Sequence, residues 1–300
     1  MSEKKKKKLN GSLKAAIILL AVADFVLLLS YLLRGKNVAL FNSKGLIATE
    51  QHKLMMFTVT ILLMIAIPTL SFLFYTVWKY RESNAPTEEA PAAHHSKYLV
   101  AGFWLLPTAI VILLASVMWP ATHRLAPQKV IASDTMPLTI QVISLRWKWL
   151  FLYPEQGIAS VNFVQLPLNT PVTFEMTADE TPMSSFWIPN LGGQLYTMTS
   201  HSNRLNLMAD KAGDYPGSSA EINGEGFAGM KFIARAGTAE DFDQWVQNTK
   251  QSPDVLDAAT YDKVLAPSEN NPMAFYSAYE SDLYDKVISK YTDPAGGHTH

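Results

Sequence analysis

The 300-residue chain has no cysteine. That excludes disulfides, thiolate metal sites and cysteine nucleophiles, and it removes thiols as a guide to redox compartment. Histidine is scarce too, at seven residues, and His201 stands alone between His123 and His298. Electron-transfer copper is held by thiolate and imidazole, and even a blue-copper centre takes two His and one Cys. The stretch between those histidines cannot supply that set, and Met230 alone is a weak thioether ligand, better suited to filling a core. Positive charge is not in excess: 25 Lys and Arg against 26 Asp and Glu leave a net charge of −1. Nucleic-acid binding, which needs a basic face, is therefore disfavoured. No G-x-S-x-G elbow accompanies the serines near Ser184 and Ser218. No glycine loop opens a helix to cradle phosphate, because Gly192-Gly193 and Gly224–Gly229 lie between strand-like runs.

What the chain does have is long apolar runs, confined to its first 120 or so residues. Its length allows roughly two domains, and a mean hydropathy near zero conceals a membrane anchor followed by a water-soluble part. The five lysines Lys4–Lys8 are too charged to fold alone. The run Leu13–Leu33, interrupted by Lys14 and Asp24, follows them. A signal h-region is usually about 7–15 residues and ends at a small-residue cleavage site. This run is longer and ends Tyr31-Leu-Leu-Arg-Gly-Lys36, so it is expected to stay as a helix. Asp24 falls mid-span, where a carboxylate is costly. A proton relay is one reading, and a hydrogen-bonded side chain at a helix interface is the simpler one.

Leu54–Val77 has about the 20 residues needed to span hydrocarbon. It ends in Trp78-Lys-Tyr-Arg81, an aromatic belt followed by cations, and Pro68 should kink it. Tyr98–Trp119 is the next span, expected to end at Pro120. Between them, Lys79–Lys97 reads as a short exposed loop whose His94-His95 pair is solvated rather than metal-bound. Positive charge stays cytoplasmic, so Lys4–Lys8 places the N-terminus inside. Three crossings then put everything after Pro120 outside, and loss of the first span would not change that.

From Leu138 the pattern becomes short strands. Leu138–Ser144 alternates as a half-buried strand should. Arg146–Tyr153 alternates too, with Trp147, Trp149, Phe151 and Tyr153 on one face and a turn at Pro154–Gly157. Further strands are expected over Val161–Leu166, Pro171–Met176, Ser185–Ile188, Arg204–Met208, Gly217–Glu221 and Lys231–Ala234, with a turn through Gly213–Gly217. Runs at this spacing indicate an all-β sandwich or barrel; periodicity leaves the topology open. After Gly237 the character is helical. Thr238-Ala-Glu-Asp241 resembles a capping box, with Phe242, Trp245 and Val246 forming an apolar stripe. Ser252–Pro272 is loop-rich with a short helix, and Ser281–Tyr291 forms a last helix with Leu283, Tyr284, Val287, Ile288 and Tyr291 on one side. The expected divisions are 1–36, a basic segment and anchor; 37–124, a helical hairpin; 125–237, the β-domain; and 238–300, a helical extension with a solvated tail.

Ser184-Ser-Phe-Trp-Ile-Pro189 and Ser218–Met230, with Arg146–Gly157 and the C-terminal helical segment, resemble subunit II of haem–copper oxidases. The resemblance covers about Asn37 to Tyr291 and implies a cupredoxin-like Greek-key sandwich. In the cytochrome c oxidases of that family, the ligands of a two-copper centre fall on the positions here occupied by Ser184, Ser219, Glu221, Asn223, Phe227 and Met230. Glu221, Gly224 and Met230 keep the family residue, while the His and Cys positions hold Ser184, Ser219, Asn223 and Phe227. That pattern belongs to the copper-less branch, the cytochrome bo-type ubiquinol oxidases. Trp147 takes the position at which electrons arrive from the cytochrome, and with no acceptor beside it, it is expected to pack against the catalytic subunit or a neighbouring strand. The family's lipoprotein box reads Leu33-Arg34-Gly35-Lys36 here, with no Cys to acylate. The family's proton-path Glu is missing from Lys97–Trp104; Glu88 and Glu89 precede that segment. The resemblance implies a non-catalytic subunit with no catalytic, cofactor-binding or metal residue of its own, set in the bacterial inner membrane with its β-domain outside. Haems, copper and the quinol site would reside in subunit I, with subunits III and IV and membrane lipid as further partners. A membrane-tethered β-domain binding an extracellular ligand, unconnected with respiration, is the alternative.

Overall fold

The computed structural model describes residues 38–81 and 96–292, together with positions 24, 27, 28 and 31. The lysine block, the rest of Leu13–Leu33, the Leu33–Lys36 box, the loop with Glu88, Glu89, His94 and His95, and the tail from 293 lie outside the described residues. Asp24 is helical and exposed. Met1–Asn42 and Ser43–His300 form separate compact units.

Two helices, α1 (Leu46–Lys79) and α2 (Lys97–Arg124), are long and apolar enough to cross a membrane. The 34 residues of α1 extend about 50 Å, against about 30 Å of hydrocarbon. Its polar first turns therefore project beyond the apolar stretch. There Glu50 pairs with Lys53 at 2.7 Å and with Arg124, in the last turn of α2, at 2.8 Å. Pro120 does not end the second helix as expected: α2 runs on to Arg124, and Leu125 N–H donates to the Ala121 carbonyl at 2.9 Å. Proline lacks an N–H and crowds the carbonyl one turn back, but the residues after it still form backbone bonds, so one more turn closes beyond Pro120.

The segment before α1 is stitched to the β-domain. Lys44 N–H donates to Asn190 O at 2.8 Å, and Ala48 N–H to Leu191 O at 3.1 Å. Gly45 bridges Ala209, and a Cβ there would lie 2.6 Å from the Met208 carbonyl oxygen. Only glycine allows that approach.

The β-domain contains β1 (Leu138–Leu145), β2 (Lys148–Tyr153), β3 (Ile158–Val161), β4 (Phe163–Pro167), β5 (Val172–Ala178), β6 (Ser184–Trp187), β7 (Leu195–Thr197), β8 (Asn203–Leu207), β9 (Gly213–Ser219), β10 (Lys231–Gly237) and β11 (Ala274–Tyr276). One sheet has the order β11-β3-β2-β1-β5-β8 and the other β4-β10-β9-β6-β7. The chain crosses repeatedly between them, and they pack face to face as a sandwich. The strand expected over Val161–Leu166 is divided at Asn162, where φ is +56°. Asparagine tolerates this left-handed corner, and the Asn162 side chain secures it by accepting from Trp149 N–H at 2.9 Å. There the chain leaves one sheet for the other.

The expected turn at Gly213–Gly217 is instead strand β9, paired with β10 from Ala236↔Gly213 to Lys231↔Ser218. Turn residues mislead here because β6 pairs with β9 only at Ser218 and Ser219. Pro216 therefore needs a ladder on one side alone. Gly217 is present because the Phe232 ring occupies the space of its Cβ.

Half-burial also fails for β2, whose six residues are all buried. Trp149, Phe151 and Tyr153 face the inter-sheet core with Phe174, Phe186 and Phe232. Leu150 and Leu152 face a second core, built with Ile143 and Leu145 of β1 and with the C-terminal extension. That extension begins with α3 (Ala239–Lys250), opened by a true capping box: Thr238 accepts from Asp241 N–H, and Asp241 from Thr238 N–H. Phe242 and Val246 on its apolar stripe are buried in the inter-sheet core. Then come α4 (Ala258–Leu265) and α5 (Leu283–Thr292). They lay Leu256, Tyr261, Tyr276, Leu283, Tyr284 and Val287 over the outer face of the six-stranded sheet.

Candidate functional site

The positions singled out by sequence converge at one pole of the sandwich. Ser184 opens β6, Ser219 ends β9, and Asn223 and Met230 flank the 3-10 turn Glu225–Gly229; all four are buried. The Asn223 amide stands among them, donating from Nδ2 to Ser184 Oγ at 2.7 Å and to Met230 Sδ at 3.1 Å. Ser219 Oγ donates to the Glu221 carbonyl at 2.9 Å and accepts from Ser185 N–H at 3.4 Å. Glu221 contributes backbone rather than carboxylate to these contacts, and Phe227 is half-buried on the 3-10 turn.

This donor set does not suit a two-copper centre. Neutral hydroxyls and an amide replace the thiolates and imidazoles that copper prefers, and the one thioether sulfur already accepts from Asn223. No group of three or more His, Cys, Asp or Glu is placed to hold a metal among the described residues.

Trp147 is not part of β2. It sits in the tight connection from β1 with φ at +64°, and its indole lies over the Gly224–Gly226 backbone. A Cβ on Gly226 would be 2.4 Å from the ring. Within this chain it packs on this loop and against the edge of the inter-sheet core. Behind it, buried Trp149 meets Phe186 edge-on at 5.2 Å, and Phe186 stacks on Phe232 at 5.0 Å. Hydrophobic and aromatic contact thus fills the interior behind the pole.

His201 is exposed and bonds only locally, to Ser200 and Thr199, so it forms no triad. Sequence reasoning passed over two further polar centres. In the first, buried Asp179, just past β5, accepts from Tyr261 and Tyr291 hydroxyls at 2.6 Å each and from Lys290 at 2.9 Å. Burial, and then the bond to Asp179, raises the Tyr261 hydroxyl above its ordinary range. Burial opposes the charge on Lys290, but its bonds to Glu180 and Asp179 outweigh that and raise its pKa. In the second, Lys148 reaches the outer core of β2 and donates to the carbonyls of Val264 and Ala266 at 2.8 and 2.7 Å, and to Ser268 Oγ. Burial lowers the pKa of its ammonium. A lysine within an apolar alternation was the available signal for Lys148; Asp179 gave none, since its partners are more than 80 residues away.

Comparisons with known proteins show the family. Residues 250–295, which include α4, β11 and α5, match the family described as COX Aromatic Rich Motif. Cytochrome bo(3) ubiquinol oxidase subunit 2 of Pseudomonas putida is 44% identical over 260 residues, covering 87% of this chain and 82% of the relative. Ubiquinol oxidase subunit 2 of Acetobacter aceti is 37% identical over 264 residues, covering 87% of this chain and 85% of the relative. Among solved structures, the periplasmic domain of subunit II of cytochrome oxidase from Bradyrhizobium japonicum is 24% identical, with a TM-score of 0.37, covering 40% of this chain and 96% of that one. Relatives at this identity run from the helical hairpin through the sandwich and into the extension, and on that ground the chain belongs to the ubiquinol oxidase subunit II family of the haem–copper oxidases.

Proposed function

We propose that this chain is a non-catalytic subunit of a quinol oxidase complex, and that its β-domain keeps the shape of a two-copper domain without the metal. The observation that carries this reading is the Asn223 amide, which stands at a ligand position of the copper frame and engages two others, Ser184 and Met230. In this reading the complex oxidises ubiquinol, reduces oxygen to water and translocates protons, with haems and copper in subunit I. α1 and α2 pack against subunit I, with subunits III and IV and lipid covering the remaining apolar surface. That surface includes Phe72 and Trp104, 71% and 75% exposed in this chain. The β-domain caps the outer face of the bacterial inner membrane, and the lysine-rich N-terminus stays inside.

Two measurements test this. Copper analysis of the purified chain after incubation with the metal is expected to find none retained; a purple binuclear absorption would refute the metal-free reading. Deleting residues 134–300 is expected to impair haem incorporation into subunit I, and normal incorporation with normal turnover would refute the scaffolding role. The tethered ligand-binding alternative has no specific observation in its favour, and co-purification of a haem protein with this chain in detergent would exclude it.

A further inference from the structure

We propose that the C-terminal arm, residues 250–292, braces the pole from outside by hydrogen bonding, reinforcing in a metal-free frame the bonds that Asn223 makes between Ser184 and Met230. The proposal rests on the metal-free reading above. Two contact routes run from the arm to the pole. In the first, Tyr261, Lys290 and Tyr291 converge on the buried Asp179 carboxylate. Tyr291 Oη also accepts from Glu180 N–H at 2.9 Å, and Lys290 donates to Glu180 Oε1 at 2.9 Å. Asp179 and Glu180 begin the short loop that ends at Ser184, the residue to which Asn223 donates. The arm therefore fixes one end of a loop whose other end lies in the pole.

In the second route, the Glu180 carbonyl accepts from Arg146 Nε at 2.7 Å. Arg146 precedes Trp147, whose indole covers Gly224 and Gly226. Glu180 itself has φ at +49° and Trp147 at +64°, left-handed conformations that a non-glycine residue keeps only when its surroundings hold it. At Glu180 the arm is one of those surroundings. The arm contributes the hydroxyl and ammonium donors that clamp the Asp179 carboxylate, where charged hydrogen bonds, the strong class, are concentrated. At the pole, by contrast, the side-chain hydrogen bonds of Ser184, Ser219 and Asn223 are between neutral groups. Asp179, Lys290 and Tyr291 are thus positioning residues for Ser184, Asn223 and Trp147.

Hydrogen–deuterium exchange on the full chain, purified with its complex, tests this in Asp179→Asn and Tyr291→Phe variants. The second removes one hydroxyl and leaves the packing volume unchanged, so it stays readable if the first does not fold. Exchange over 179–185 and 220–230 is expected to rise on the order of tenfold, as losing one charged hydrogen bond predicts, while 163–167 and 231–237 keep their protection. Faster exchange in 283–292 with 220–230 unchanged would overturn the brace, as would uniform loosening of both sheets. Copper content of the same samples is a separate readout. Metal found in the parent chain would defeat the metal-free reading, whatever the exchange pattern.

Discussion

Removing residues 251–300 would uncover the outer face of the six-stranded sheet, and the consequence can be worked from the second core. Ile143, Leu145, Leu150 and Leu152 are fully buried there, against Leu256, Tyr261, Tyr276, Leu283, Tyr284 and Val287. Burying one such aliphatic side chain contributes about 1.5–3 kcal/mol, so the four together lose roughly 6–12 kcal/mol. That is comparable with the whole stability of a typical domain, about 5–15 kcal/mol. The truncated chain is therefore expected to lose cooperative melting of its β-domain, followed by near-ultraviolet circular dichroism in detergent. Leu152→Ala in the full chain provides a graded version. A cost of about 2–5 kcal/mol should lower the melting temperature by roughly 5–15 °C in a domain of this size. If the truncated chain melted cooperatively at the parent temperature, the arm would not be part of the core.

Three other outcomes are expected. Gly226→Ala places a Cβ 2.4–2.6 Å from Trp147 ring atoms; it should cost about 1–3 kcal/mol by overpacking and shift tryptophan emission as the indole is displaced, and unchanged emission would contradict the packing. Lys148→Met deprives the Val264 and Ala266 carbonyls of their donor; it should destabilise by about 2–4 kcal/mol and increase proteolysis near Ser268, both of which are measurable on the purified chain. The third concerns alkaline pH. Burial, foremost, raises Tyr153, Tyr261 and Tyr284, so the folded state keeps protons that the unfolded chain releases above about pH 10. Stability from these groups is full below that pH and falls above it, by about 1.4 kcal/mol per pH unit for each tyrosine still protonated. Early tyrosinate absorbance, preceding unfolding, would count against it.

The spans, the strand-rich middle and the capped α3 were legible because each is a local pattern. Leu54–Val77 is apolar throughout, Leu138–Ser144 begins with period two, and Thr238–Asp241 carries its own cap. The misreadings arose where distant chain decides the outcome. β2 read as one aromatic row facing the other sheet because Arg146 and Lys148 begin its second row; Leu150 and Leu152 of that row became core when the arm, about 100 residues later, covered them. Gly213–Gly217 looked like a turn because Pro216 and Gly217 are turn residues; pairing with β10 on one side and the Phe232 ring over Gly217 made it a strand.

Sequence by itself determined which donor atoms the β-domain offers, because ligand identity is a property of residue type: there is no Cys, and His201 is the one imidazole across it. Only the tertiary structure decided which side chains meet at the pole. Asn223, Ser184 and Met230 are up to 46 residues apart in sequence, and Asp179 and Tyr291 are 112 apart. Hydrogen bonds act over about 3 Å, a separation that only the folded chain establishes.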